Sequence, residues 1–365
     1  MSDNFDRNKL KIGFAGCGNI AVNYHMPALK RLNSVEISAF YDPQPGKAAE
    51  ACRLYGEETA KVCSSYNELI NDPSINVIYI CVPNKWHSSL VIEALNANKH
   101  VMCEKPMAIA SKEARDMLEA SQRSGAKLTI GYHNRFRRDA RYLKKICEEG
   151  RLGDIYFAKA HAVRRRKVPT WGTFLNKEIQ GGGPLIDIGS HALDLALWTM
   201  NNYKPKYVVG NIHHGLAKQG SPANVYGPWE PKAFQVEDSA FALIVMQNGA
   251  TVFLESSYAL NTLDEKEAKV TLCGIDAGAD MENGLRINGE KNSELYSMIV
   301  ETDYDKKKKM EFGITEDPYE LQSKLWIEHI LYGGDLVVKP EQTLVVTEII
   351  EAIYRSAESG GPVYF

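Results

Sequence analysis

Short apolar runs and longer amphipathic stretches alternate through the first third of the chain. The apolar runs fall at 12–15, 35–41, 77–82, 101–103 and 128–132, with helix-period segments between them. One of those helices opens on a capping-box pattern, Ser65 to Glu68. Nearly continuous apolar strands that alternate with helices imply a parallel, doubly wound sheet covered on both faces, an α/β arrangement.

From about Arg151 the rhythm changes. A helix-like segment over 185–200 is followed by strand candidates near 206–214, 238–246, 251–258 and 267–273. Consecutive strands joined by turn signals such as Asn248-Gly249 predict an antiparallel sheet. Helical patterns over 319–332 and 343–358 close the chain. The expected division is a dinucleotide-type domain at 1–132 and a larger α+β domain at 133–365, the C-terminal helix packing back towards the first.

Composition adds limits rather than a function. The 365 residues are 44% apolar and 24% charged, with a net charge of −3. That balance gives no general attraction to nucleic acid or to an anionic membrane. The basic run Lys306 to Lys309 reads as a solvated face. No apolar signal core or bilayer-spanning run is visible, and seven cysteines without a C-x-x-C pair suit a reducing cytoplasm.

Chemistry collects where the apolar runs end. The first runs into "GFAGCGNIA", a G-x-G-x-x-A turn with Gly16, Gly18 and Ala21 at its three positions. Gly16 allows the tight turn, Gly18 lets backbone approach a pyrophosphate, and the helix N-terminus offers N–H groups to that anion. Asp42 ends the second run, 24 positions after Gly18, where an acid accepts from a ribose 2′-hydroxyl. Pro43 and Gln44 follow instead of an arginine for a 2′-phosphate, so NAD is expected rather than NADP. The remaining runs end in Pro83–Asn84, Glu104–Lys105 and the 132–135 stretch. Ligands bind beyond the carboxyl ends of strands in such a sheet, so five distinctive endings on one rim mark a site.

Lys105 would project from that rim, its backbone restricted by Pro106, and the Lys105-Pro106 bond is a candidate for the cis form. The second informative stretch, "GGGPLIDIGSHALDLALW", places Asp187 and His191 four apart on one helix face, with Asp194 nearby. A carboxylate beside an imidazole makes a plausible general base. A core histidine that merely bonds Asp187, or a metal site of Asp187, His191 and Asp194, are the competing readings; the expectation is no metal.

With these stretches in hand the chain resembles the glucose-fructose oxidoreductase / inositol dehydrogenase / rhizopine-catabolism (Gfo/Idh/MocA) family. The matching stretches are "GFAGCGNIA", "VPNKWHSSLVIEAL", "NKHVMCEKP", "GYHNRF" and "GGGPLIDIGSHALDLALW", in the family's order, with "EIIEAIYRSAESGGPV" near the end. The resemblance implies a Rossmann domain joined to an α+β domain whose large, open, mainly antiparallel sheet forms homo-oligomer contacts. It carries Lys105, Asp187 and His191 into catalytic positions. The cofactor-binding set expected is Gly16, Gly18, Asn19, Ile20, Asp42, Pro83, Asn84, His87, Glu104 and Lys105. At "GYHNRF" His133 stands beside the usual asparagine, Asn134, and adds a ring to the site.

The expected reaction is NAD-dependent oxidation of a secondary hydroxyl on a sugar, glycoside or polyol. "AHAVRRRKVPTWGTF" puts Arg164 and Arg166 on one face of a strand and leads to Trp171, an aromatic plate that suits a pyranose. The segment "RRRKVPTWG" resembles the branch that oxidises glucosides at the ring 3-hydroxyl. The expected substrate contacts are Lys105, Asn134, Arg164, Trp171, Asp187 and His191. The loop 220–231 reads either as a lid carrying Tyr226 and Trp229 or as packing. An inositol dehydrogenase, a glycosidase using transient oxidation, and a dinucleotide-sensing regulator are the other readings.

Overall fold

The computed structural model describes residues 9–301 and 317–365, so the run Lys306 to Lys309 lies outside the described residues. The chain divides into two compact units. One takes the described residues up to Ala108, then Lys112–His133, then 317 to Leu344. The other takes Ile109–Ser111, Asn134 to 301 and Val345–Phe365. The division is finer than one cut near residue 132. Helix Pro318–Tyr332 belongs with the first unit because its Trp326 and Ile327 complete that unit's core, each no more than 2% exposed. Helix Pro340–Ser359 begins in the first unit and passes to the second at Val345.

The first unit is built on β1 (Leu10–Ala15), β2 (Val35–Tyr41), β3 (Lys61–Val62), β4 (Val77–Ile80), β5 (His100–Cys103) and β6 (Leu128–Ile130). Their order is β3-β2-β1-β4-β5-β6, and every neighbouring pair is parallel. The strands are apolar on both sides because helices cover both faces. Ile12, Phe14 and Tyr79 are fully buried, and the rings of Phe14 and Tyr79 lie 5.2 Å apart. Burial of each such side chain is worth roughly 1.5–3 kcal/mol. The helix Tyr66–Asn71 is capped as its sequence implies, Glu68 N–H donating to Ser65 Oγ at 3.1 Å. The reciprocal bond is shifted by one residue, because Glu68 Oε2 takes the Ser64 N–H, at 2.7 Å.

The second unit carries β7 (Ile155–Val163), β8 (Pro205–His213), β9 (Ser239–Met246), β10 (Thr251–Ser257), β11 (Lys266–Gly274), β12 (Ala277–Asp280), β13 (Leu285–Lys291), β14 (Glu294–Val300) and β15 (Val363–Tyr364). Their order is β14-β13-β12-β11-β7-β10-β9-β8-β15. Among the described residues only the β7–β10 pair is parallel. The four strands expected from the sequence are β8 to β11, and Gly249 turns β9 into β10 at φ +87°. Helix Ser190–Met200 packs on β7 and β11 and is buried on all sides, which explains its lack of a polar face. Among the described residues no helix is long and apolar enough to cross a membrane.

Candidate active site

The rim of the first sheet is built as a dinucleotide cradle. Gly16 sits at φ +92°, and a Cβ there would come within 2.4 Å of the Cys81 carbonyl oxygen, so no larger residue fits the turn. Gly18 is the opposite case: a Cβ would meet nothing within 4 Å. That open space lies before the helix begun by Asn19 and Ile20, whose first N–H groups suit a pyrophosphate. Asn19 is exposed and accepts from Asn23 Nδ2, while Ile20 is half-buried. Asp42 is tied to the turn, its Oδ2 accepting from Cys17 N–H and its Oδ1 from Gln44 N–H, both at 2.8 Å. These residues fit NAD: they offer the backbone approach and the acid that its phosphates and ribose need.

At the end of β4, Pro83 is exposed and Asn84 half-buried. His87 is fully buried, and its ring nitrogens reach the carbonyls of Pro106, 2.7 Å away, and Val82, 2.9 Å away. It therefore ties the strand end to the proline rather than offering a nitrogen to a ligand, and burial holds its pKa below the usual imidazole value. The Lys105-Pro106 bond is cis, and Lys105 is half-buried.

Glu104 was expected to face the cofactor, but its carboxylate points inward. Its Oε1 accepts from His25 Nε2 at 2.6 Å and its Oε2 from the Lys105 backbone N–H at 3.1 Å. Burial alone would push this carboxyl up; the hydrogen bond from His25 and the positive neighbours, Lys105 among them, outweigh burial and hold it below the usual glutamate range.

In the second unit the stretch from Gly181 leads into a π-helical turn, Leu185–Gly189, and then helix Ser190–Met200. The wide turn, not a straight α-helix, carries Asp187 ahead of His191. The glycines have packing reasons. A Cβ on Gly182 would come within 2.0 Å of the Tyr354 hydroxyl oxygen, and one on Gly183 within 2.4 Å of the Glu237 carbonyl. The buried Glu237 carboxylate accepts from Gly183 N–H at 3.0 Å, Leu185 N–H at 3.1 Å and Tyr354 O–H at 2.9 Å. It thus caps the helix start, and burial raises its pKa.

Asp187 Oδ2 accepts from Tyr258 O–H at 2.6 Å, and His191 is 7% exposed. Asp194 belongs to a different pair. It takes a bidentate contact from Arg135, 2.9 Å from Nε and 2.6 Å from Nη2, with both side chains at or below 1% exposure. That pairing removes Asp194 from any metal set with Asp187 and His191, and among the described residues no cluster of metal-ligating side chains is found. Asn134, expected to touch substrate, is buried at 8%.

The arginine run departs from the expected strand. β7 ends at Val163, and Arg164 to Arg166 lie beyond it, Arg166 in an isolated bridge to Ala259. Arg164 is gripped by Glu267, its Nε 2.7 Å from Oε2, and its guanidinium lies 5.7 Å over the Tyr258 ring. In the loop 220–231 Trp229 is buried and donates from Nε1 to the Ala217 carbonyl, so it packs rather than lines a lid. Trp171 and Tyr226 remain exposed and meet edge to face at 4.8 Å. His25, Tyr258 and Glu237 were not singled out by the sequence, and Arg135 only as the end of the 132–135 stretch, since none lies in a spacing pattern with its partner.

The family model for the NAD-binding Rossmann fold of this oxidoreductase family matches residues 10–132, and the GFO/IDH/MocA C-terminal domain matches residues 140–293. The chain belongs to the Gfo/Idh/MocA oxidoreductase family. It is 33% identical over 361 residues to D-glucoside 3-dehydrogenase of Escherichia coli (strain K12), covering 99% of each chain. Inositol 2-dehydrogenase of Salmonella typhimurium (strain LT2) is 30% identical over 197 residues, 53% of this chain and 56% of that one. In fold, the chain is similar to levoglucosan dehydrogenase in complex with NADH and L-sorbose, with a TM-score of 0.82 at 20% identity, covering 98% and 99% of the two chains. As a member of the Gfo/Idh/MocA family the chain is an NAD(P)-dependent oxidoreductase acting on sugar hydroxyls, with an NAD-binding Rossmann domain.

Proposed function

We propose that the chain oxidises a secondary hydroxyl of a glucoside, with the ring 3-position as the candidate, and that NAD rather than NADP is the cofactor. The observation that carries this reading is the near full-length similarity to a D-glucoside 3-dehydrogenase. The Asp42 carboxylate, held by the Cys17 N–H of the glycine turn and by the Gln44 N–H, supports NAD, because a 2′-phosphate would be repelled there.

Bound NAD supplies the acceptor for the hydride that leaves the carbinol carbon. His191 is the proposed acceptor of the hydroxyl proton, Asp187 holds the imidazole in place, and Lys105 is the proposed donor to oxygen as negative charge grows on it. Trp171 and Tyr226 offer an aromatic corner to a pyranose or aglycone. Val209, Leu243 and Phe253 lie in register across three strands and line one groove of the second sheet. That apolar face supports a homo-oligomer formed with a second copy.

The test is NADH absorbance with methyl and aryl glucosides, galactosides and inositols, followed by analysis of the product. A 3-keto glucoside with stoichiometric NADH is expected. Oxidation of inositol alone, aglycone release without NADH, or a clear NADP preference would overturn the corresponding part. Lys105→Ala and His191→Ala should each lower kcat by about 10²–10⁴-fold.

A further inference from the structure

The helix that follows the glycine turn contains a π-helical turn, Ala21–His25, before it continues as Met26–Lys30. Such wide turns inside helices recur where a side chain must be aimed, often at functional sites. Here the residue that closes the turn is His25. It is fully buried, and its Nε2 lies 2.6 Å from Glu104 Oε1. The edge of its ring meets Tyr79 and Tyr319, with centroids at 5.6 Å and 5.3 Å. No hydrogen-bond partner for its Nδ1 occurs among the described residues. The Glu104 carboxylate is the acceptor in the pair, so the His25 ring donates to it from Nε2.

The carboxylate has a second task. Its other oxygen accepts the Lys105 backbone N–H, and the Glu104 N–H donates to the Ile80 carbonyl at 2.9 Å. The space around it is closed, because a Cβ on Gly131 would come within 2.9 Å of Glu104 Oε1. Gly131 thus makes room for this carboxylate, which the motif "GYHNRF" by itself did not reveal.

We propose that His25 is a positioning residue for Lys105, acting through the Glu104 carboxylate. The inference rests on the reading of Lys105 as the group that meets the substrate oxygen. The pair joins the helix that starts at the cofactor's phosphate cradle to the backbone of the lysine, so both are registered by one buried hydrogen-bonded link. A buried polar pair of this kind specifies geometry because an unpaired carboxylate in its place would be costly. Misplacing a reacting group by about 1 Å can cost about 10²-fold in rate, so the link has leverage on turnover without touching substrate.

The test compares the full-length protein with His25→Phe, which keeps a ring and removes the donor, and with His25→Gln, whose amide N–H can replace it. Turnover of a glucoside at saturating NAD, KM, NADH affinity by fluorescence, and hydrogen exchange of the Lys105 amide are measured. The expected result is a kcat about 10- to 100-fold lower in His25→Phe, with KM and NADH affinity changed less than about threefold. Lys105 amide exchange should be faster in that variant, and His25→Gln should recover most of the kcat and of the protection. Unchanged kcat and exchange in His25→Phe would overturn the proposal. So would a loss shared equally by both variants with NADH affinity falling in step. If the wild-type chain binds NADH and oxidises no sugar, the functional reading fails, and Lys105 amide exchange alone decides the role of His25.

Discussion

Tyr258 donates its hydroxyl proton to Asp187 Oδ2 across 2.6 Å, although the two residues are 71 positions apart. The tyrosine is fully buried just past the end of β10, with the Arg164 guanidinium over its ring. Burial first, and then the Asp187 charge, push the phenol well above its ordinary value, so it stays a donor at any working pH. Asp187 is thereby held by a residue outside the helical turn that carries it.

Tyr258→Phe removes the donor and keeps the ring. A hydrogen bond to a charged group contributes about 1.5–3 kcal/mol, so kcat should fall by about tenfold or more if that bond is needed in the transition state. Steady-state kinetics at saturating NAD and sugar measures it. An unchanged kcat would remove Tyr258 from the working assembly.

The two glycines of the turn should separate folding from binding. Gly16→Ala meets the Cys81 carbonyl and a left-handed φ, so it should lower the midpoint of thermal unfolding. Gly18→Val enters open space, so the protein should melt normally while NADH affinity drops at least tenfold. Equal effects of both substitutions on melting and on binding would contradict the cradle.

The Arg135–Asp194 pair is wholly desolvated, and Trp198 stacks 5.6 Å from the guanidinium. Asp194→Ala strands a buried positive charge and should cost about 3–5 kcal/mol in denaturant unfolding. The double replacement Arg135→Met with Asp194→Leu should recover most of that loss, because neither charge is then left alone. A double variant as unstable as the single one would mean that the pair does more than neutralise itself.

Glu104 sets a pH dependence with a definite sign. Its folded carboxyl lies below the usual range, so its contribution to stability is present above the ordinary glutamate value. It is lost as pH falls through the lowered folded value. Thermal unfolding followed from neutral to acid pH should therefore decline less steeply in Glu104→Gln than in the wild type. Parallel curves would place the acid sensitivity elsewhere.

Residues near one another in sequence were legible without a structure. The parallel sheet followed from strand-length apolar runs, the Lys105-Pro106 bond from its proline, and the Ser65 cap from its spacing, because each depends on neighbouring residues. β12, β13 and β14 were not anticipated: they are short or exposed strands whose side chains, such as those of Glu294–Val300, carry little burial pattern. The arginine run misled for a related reason. A period-2 pattern says which residues alternate but not where pairing stops, and here it stops at Val163.

By itself, then, the sequence determined the α/β class, the glycine turn with Asp42, and the helical segment that bears His191, though not the wide turn that carries Asp187. All of these are written in local periodicity and in backbone demands that only certain residues meet. Only the tertiary structure decided which buried polar groups are partners. Glu104 turned to His25 across 79 positions, Asp194 to Arg135 across 59, and Glu237 to the backbone of Gly183 across 54. A buried carboxylate must find a donor, but spacing along the chain does not say which one; packing brings that donor within reach.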